Sequence, residues 1–253
     1  GTDAAGLADL RLEDQLGSYM HGKESTLPWP APGHAPERNP PTRCCRIREG
    51  PLVNVDVTAA GATMALALIF LKTNNASVAS QLRIPASLYS LACVRPDLVM
   101  LRVIARNLIM WDEVRPTSAW LASQLPELAK PPAVGGDTEA LRLARLNALA
   151  GACAALGLRF AGSCCEPACE LLMAQAKQLH AQRQATGAGS KAVQPTLETC
   201  VGTTAVALGM VMAGSGNLEC LRLFRVLRRR VDSEVTPTLT LTPTPTPTPT
   251  LTL

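Results

Sequence analysis

Ala154-Ala155-Leu156-Gly157-Leu158-Arg159-Phe160-Ala161-Gly162-Ser163 is the stretch that decides the fold, because the chain repeats it. The second copy starts 52 positions later (154 to 206) and reads Val206-Ala207-Leu208-Gly209-Met210-Val211-Met212-Ala213-Gly214-Ser215. Leu, Gly, Ala, Gly and Ser keep their places in both, which is more than alanine-rich helices share by chance. A looser copy begins at Gly61, 90 positions upstream (61 to 151). It matches through Gly61 with Gly151, Leu66 with Leu156, Leu68 with Leu158 and Phe70 with Phe160. Such recurrence predicts a repeat array.

Each copy alternates small residues with Leu, Met or Phe, so its helix is apolar nearly all round and is expected to be buried. The predicted buried helices are Gly61 to Leu71, Gly151 to Phe160 and Gly202 to Ala213. A glycine inside a helix costs about 1 kcal/mol relative to alanine. We therefore expect close helix packing at Gly157 and Gly209, and helix ends at Gly162 and Gly214.

A more polar helix follows each of the last two copies, at Glu166 to about Gln184 and at Leu218 to about Arg230. In the final helix, a stripe at helical spacing predicts the buried face. The stripe consists of Leu218, Leu221, Phe224 and Leu227, with Arg222, Arg225, Arg228 and Arg229 off it. A buried helix, a turn and an amphipathic helix form one unit of an α-solenoid, so the predicted fold is all-α.

Composition supports a helical protein and gives little support for nucleic-acid binding. Hydrophobic residues make up 47% of the 253 residues and aromatic residues 3%. The net charge is +4, without aromatic residues interleaved among the basic ones. The nine cysteines form no Cys-x-x-Cys pair, which favours a reducing compartment.

Two uncharged stretches raise the alternative of a small membrane protein. Val57 to Leu71 is shorter than the roughly 18 apolar residues that a span needs. Thr199 to Leu218 is longer, but polar residues and glycines limit its apolar centre to Ala205 to Ala213. Buried core helices are the preferred interpretation, with no membrane partner.

Three regions are predicted along the chain. Residues 1–50 form a proline-rich, mostly disordered linker with a short helix around Leu7 to Leu16. Residues 51–235 form the repeat region, and residues 236–253 form a disordered tail of Thr-Pro and Thr-Leu units. Gly1 at the start and this tail suggest an incomplete chain.

Further elements are expected inside the repeat region. Val53 to Val57 predicts a short strand or an extended lead-in, with Asp56 or Thr58 capping the next helix. Short helices are expected at Ser77 to Leu82 and after Pro116. Between them, a helix from Pro96 to Trp111 should bury Leu98, Leu101, Ile104, Ala105, Leu108 and Trp111, with Arg102 and Arg106 off this stripe.

Active-site chemistry is not indicated by any motif, so no catalytic, cofactor-binding or metal-binding residue is predicted. His21, His34 and His180 have no neighbouring carboxylate cluster. Cys164-Cys165-Glu166-Pro167-Ala168-Cys169 is the group that a thiol or metal enzyme would use. It lacks a nearby histidine base and the paired spacing of four zinc ligands. A non-enzyme is predicted, with a thiol or metal enzyme as an alternative.

Several segments resemble the large scaffold subunits that carry proteasome/cyclosome repeats, in particular those of the anaphase-promoting complex (cyclosome). The segments are Asn54 to Thr58, Gly61 to Leu66, Leu71 to Asn75, Arg106 to Asp112, Ala150 to Cys153, Arg159 to Ser163, Leu197 to Cys200 and Met210 to Leu218. They keep the family's order from about Cys45 to Arg230. In this class, helix pairs of about 35 to 40 residues close into a two-layered ring.

The resemblance implies a non-catalytic scaffold in a multisubunit ubiquitin ligase that drives mitotic progression, in the nucleus and cytoplasm. It implies protein partners: the cullin-like and RING subunits and the coactivator. A scaffold of the proteasome regulatory particle is the alternative. Because Thr-Pro units replace further repeats, the expected ring is an incomplete toroid.

Overall fold

The structure, a computed structural model, describes residues 10–22, 47–49, 52–87, 89, 91, 94–125, 138–185 and 193–228. Within these ranges the fold is all-α, as predicted, apart from two strands of two residues each. The helices are α1 (Leu10–His21), α2 (Val55–Ile69), α3 (Ala76–Gln81), α4 (Pro96–Ile109), α5 (Ser118–Ser123), α6 (Glu139–Arg159), α7 (Glu166–Ala185), α8 (Val193–Val211) and α9 (Leu218–Leu227). Strands β1 (Arg48–Glu49) and β2 (Leu52–Val53) pair antiparallel, and Trp111–Glu113 forms a 3₁₀ turn.

The helices α2, α4, α6 and α8 pack in a row in chain order. Three of these helices, α2, α6 and α8, contain most of the stretches that the repeats predicted as buried, and α4 contains the helix predicted from Pro96. The other helices lie against the row: α1 on α2, α3 on α4, α5 on α6, and α7 on α8. The last helix, α9, contacts α7 and α8 and has no neighbour on its far side among the described elements.

Small residues set the spacing within the row. A Cβ on Gly157 would lie 2.6 Å from Cα of Ala207, and one on Gly151 would lie 2.6 Å from the carbonyl oxygen of Met100. The predicted close packing at Gly157 is therefore confirmed. At Gly209 it is wrong, because a Cβ there would meet only Cζ of Phe224, at an ordinary 3.9 Å.

The start of α2 corrects the predicted cap and shortens the predicted extended lead-in, because Val55 to Val57 already belong to α2. Asn54, not Asp56 or Thr58, occupies the N-cap, directly after β2. The hydroxyl of Thr58 donates to the carbonyls of Tyr19, at 2.8 Å, and Asn54, at 3.0 Å. Thr58 therefore ties α1 to α2 instead of capping.

Two predicted stripes are partly wrong. In α4, Arg102 is buried while Leu101 and Ile104 are half-buried, because α2 and α6 cover two different sides of this helix. In α9, the buried residues are Cys220, Leu223 and Leu227. Leu218 and Leu221 remain 65% and 49% exposed. Apolar spacing reveals a face but not which neighbour is present to cover it.

The predicted regions at the two ends of the chain are described only in part. Helix α1 falls within residues 1–50, overlaps the predicted short helix, and buries Met20 against α2 and α3. The other described residues of this region are Gly22 and residues 47–49, and the tail 236–253 lies outside the described residues. The region boundaries therefore stay predictions.

Among the described helices, α6 is long and apolar enough to cross a membrane by length and hydropathy. Its apolar window is 72% buried inside the fold, between α4 and α8. This is typical of a core helix packed between two neighbouring helices. The two stretches that raised the membrane alternative lie mainly in α2 and α8.

Candidate protein-interaction surfaces

The turns after α2 and α6 bond to the next helix of the row in the same way. After α2, the amides of Lys72 and Asn74 donate to the carbonyls of Leu108 and Ile109 at the end of α4, each at 3.0 Å. After α6, the amides of Gly162 and Cys164 donate to the carbonyls of Met210 and Val211 at the end of α8, at 2.8 and 3.0 Å. The donors lie 90 positions apart (72 to 162 and 74 to 164), which is the offset of the sequence repeat.

Backbone angles extend this equivalence to the turn after α8. Left-handed φ values occur at Lys72 (60°), Gly162 (68°) and Gly214 (80°), and again at Asn74 (54°), Cys164 (51°) and Gly216 (66°). The offsets are again 90 and 52 residues. The predicted helix ends at Gly162 and Gly214 are confirmed.

A hydroxyl group repeats in the same three turns. Thr73, Ser163 and Ser215 each donate a side-chain hydrogen bond to the carbonyl three residues back, at 2.8, 2.7 and 2.8 Å. The shared position of Ser163 and Ser215 was visible in the sequence. The left-handed conformation of Lys72 was not predicted, because a lysine gives no signal for such a conformation.

The turn after α4 is joined to its neighbours by side chains. The ring of Trp111 lies 4.5 Å from Nζ of Lys72 and 5.3 Å from Cζ of Arg159. Asp112 accepts a hydrogen bond from the side-chain amide of Asn74 at 2.8 Å and lies 3.8 Å from Arg159. These groups are solvent-exposed or half-buried, so each contact stabilises only weakly.

The cysteine group singled out in the sequence is spread from solvent to core. Cys164 is exposed, Cys165 is half-buried, and Cys169 is buried with its Sγ 3.8 Å from Sγ of Cys220. Desolvation, with a contribution from Cys220, raises the pKa of Cys169 to about 11. Desolvation also raises the pKa values of Cys153 and Cys200 to about 12. These three thiols are protonated at neutral pH, which makes them poor nucleophiles and metal ligands.

No group of three His, Cys, Asp or Glu residues that could hold a metal occurs in the described ranges. In the neutral form of His180, its Nδ1 accepts a hydrogen bond from the guanidinium of Arg183 at 2.8 Å. Desolvation and the charge of Arg183 lower the pKa of His180. The expectation that the chain has no site residues stays a prediction.

Arg183 is a buried charge that no sequence pattern indicated. Its guanidinium lies 3.0 Å from Oε2 of Glu198 and donates to the carbonyl of Leu227 at 3.4 Å. It therefore links α7, α8 and α9. An arginine on a polar helix face usually reaches solvent with its charged head, so its position in the sequence carries no signal for this burial.

Two open surfaces remain beside α9. Between α8 and α9 lies a cavity of about 520 Å³ lined by Gly202, Phe224 and Arg228. A Cβ added at Gly202 would meet no atom within 4 Å, and the nearby Val206 is 63% exposed. Between α7 and α9 lies a second cavity of about 430 Å³. Open apolar helix faces of this kind are typical of protein-interaction sites.

Comparison with known proteins identifies the family. The family model described as "APC1 fifth domain" matches residues 1–242. The chain belongs to the APC1 family. The match covers all of the described residues and part of the predicted tail, so the resemblance found in the sequence is confirmed.

Curated relatives carry the name "Anaphase-promoting complex subunit 1". The human protein is 38% identical over 246 residues, which cover 93% of this chain and 12% of the relative. The Arabidopsis thaliana protein is 40% identical over 252 residues, which cover 91% of this chain and 14% of the relative. The Schizosaccharomyces pombe protein is 37% identical over 186 residues, which cover 71% of this chain and 13% of the relative. The chain thus spans a small part of the length of these APC1 relatives.

Proposed function

We propose that this chain is a non-catalytic scaffold segment of the anaphase-promoting complex, the ubiquitin ligase of mitotic progression. We further propose that its helix pairs form a solenoid of the proteasome/cyclosome type, an incomplete toroid. The observation that carries this proposal is the repeated turn, in which two backbone amides bond to the end of the next helix in the row.

That turn joins α2 to α4 and α6 to α8, and each helix of the row also packs against its neighbours in the row. A quasi-one-dimensional array of such units holds long surfaces in fixed positions, which is what a scaffold supplies. The described buried thiols give no support to catalysis, because burial keeps them protonated. The family match favours a cyclosome subunit over a scaffold of the proteasome regulatory particle.

The partners proposed are other subunits of the complex: the cullin-like subunit, the RING subunit and the coactivator, in the nucleus and cytoplasm. Exposed apolar side chains on α8 and α9 support a role in protein binding. They are Val206, Leu218, Leu221 and Val226.

A hybrid subunit tests this proposal. Residues 1–253 would replace the matching segment of the human relative, and assembly would be measured by co-purification of the other subunits. We expect the hybrid to assemble, whereas a subunit with the segment deleted should not.

A matched control separates folding from chance association. The same hybrid carrying Gly157→Leu should lose assembly, because the leucine would overlap the backbone of α8 at Ala207. The scaffold proposal is wrong if the hybrid is soluble but recovers no more subunits than the deletion does.

A further inference from the structure

The groove between α7 and α9 has walls that are fixed at both ends. Near the start of the two helices, Sγ of Cys169 lies 3.8 Å from Sγ of Cys220. Near their ends, the guanidinium of Arg183 donates to the carbonyl of Leu227 at 3.4 Å. Both ties are buried. The cavity of about 430 Å³ is therefore present before any partner binds.

Apolar and cationic groups line this groove. Ala181, Leu223 and Val226 supply the apolar surface, and Val226 is 47% exposed. Lys177 lies on the α7 wall and Arg222 on the α9 wall, and both are exposed. Among the described residues, neither of these two cations lies within ion-pair distance of a carboxylate.

The remaining titratable groups do not cancel this positive charge. Glu219 is the acidic residue of the lining. His180 adds no charge at neutral pH, because desolvation and Arg183 lower its pKa. Arg225 is also exposed on α9, one turn after Arg222. Lys177 and Arg222 thus outweigh Glu219 in the lining of the groove.

We propose that the α7–α9 groove binds an acidic protein segment that inserts an aliphatic side chain between Ala181, Leu223 and Val226. Carboxylates of the segment would pair with Lys177 and Arg222 at the two walls. Charge complementarity selects this occupant, because a basic or uncharged segment would leave both cations unpaired. The residues that line the groove lie on α7 and α9, so binding there leaves the contact between α6 and α8 in place.

The test uses the full 253-residue chain and a fluorescein-labelled peptide in which two leucines are flanked by glutamates. We expect saturable binding by fluorescence anisotropy that weakens with added salt. Peptides with lysine in place of glutamate, or serine in place of leucine, should bind at least about tenfold more weakly.

Charge reversal locates the binding. Lys177→Glu and Arg222→Glu should each weaken binding by about tenfold, and Val226→Ser should weaken it without changing the salt dependence. Arg115→Glu makes the same charge change at an exposed position outside the groove and should have no effect. Circular dichroism verifies that every variant stays folded.

Either of two results overturns the proposal: no saturable binding of the acidic peptide, or an equal loss with Arg115→Glu, which would indicate nonspecific attraction. Binding is measured on the chain alone. If the peptide does not bind, the groove proposal is wrong, whereas the scaffold proposal is tested separately by the assembly experiment.

Discussion

Two glycines that hold the same place in the repeat have different surroundings. Gly157 faces the backbone of α8 at Ala207, whereas Gly209 faces open space and the edge of Phe224. The sequence predicted close packing at both, since it shows the small residue but not whether a neighbouring helix is present. The same reason explains Arg102 and Arg183, which are buried because neighbours cover them.

Substituting alanine at these two positions should therefore have opposite effects. Gly157→Ala should lower the free energy of unfolding by about 1–3 kcal/mol, because the new Cβ would overlap backbone that cannot move aside. Gly209→Ala should raise it by up to about 1 kcal/mol, since alanine is the better helix former. Urea denaturation measures the free energy of unfolding of both variants, and equal changes in the two would contradict the packing argument.

Buried thiols predict how stability depends on alkaline pH. Burial raises the pKa values of Cys153 and Cys200 from 9.0 to about 12. Above pH 9 the unfolded chain releases these protons and the folded chain retains them. The free energy of unfolding should thus fall as pH rises from 9 toward 12, by at most about 1.4 kcal/mol per pH unit for each thiol.

Denaturation at about pH 8 and about pH 10.5, on either side of the unfolded thiol's pKa, tests this dependence. Cys153→Ala should reduce the slope, because it removes a thiol whose pKa burial raises. An unchanged slope in Cys153→Ala would mean that this thiol ionises in the folded protein as it does in the unfolded one.

At the scale of elements, the repeated turns are the best-predicted feature. The sequence repeats placed the long helices and the ends at Gly162 and Gly214. They could not show the bonds between the turns and the next helix, because those bonds use backbone amides, which every residue except proline has. The buried face of α9 was also mispredicted, since Leu218 and Leu221 have helical spacing but no described neighbour.

Hydrogen exchange should distinguish the bonded turns from the last one. The amides of Gly162 and Cys164 should exchange slowly, because each bonds to the end of α8. Gly214 and Gly216 share their backbone conformation but have no acceptor among the described residues, so their amides should exchange quickly. Equal rates in the two turns would show that these bonds do not hold in solution.

The left-handed residue in the turn after α6 offers a stability test. Cys164 has φ of 51°, which costs an L-residue on the order of 1 kcal/mol. Cys164→Gly should therefore raise the free energy of unfolding by up to about that amount. The hydrogen bond from the backbone amide of residue 164 to the carbonyl of Val211 is kept. Lys177→Gly, inside α7, should lower it instead.

For the whole molecule, the row leaves an apolar edge at α8 and α9. Val206 and Leu218 are 63% and 65% exposed there. We expect the isolated chain to self-associate through this edge, as measured by sedimentation velocity. Appending one further repeat after Arg230 should improve solubility, because its first helix would cover the edge.

The tail supplies the control for that experiment. Deleting residues 236–253, which the sequence predicts to be a disordered tail, should change neither helix content nor solubility. A chain that is monomeric at high concentration, and that unfolds when the tail is removed, would contradict both the open edge and the dispensable tail.

The difference between the junctions has a mechanical consequence. Two backbone hydrogen bonds join α2 to α4 and α6 to α8 at the turn end, whereas exposed groups around Trp111 and Asp112 link α4 to α6. A force that bends the row at this end would therefore be resisted by backbone hydrogen bonds at the α2–α4 and α6–α8 junctions and by exposed side chains at the α4–α6 junction.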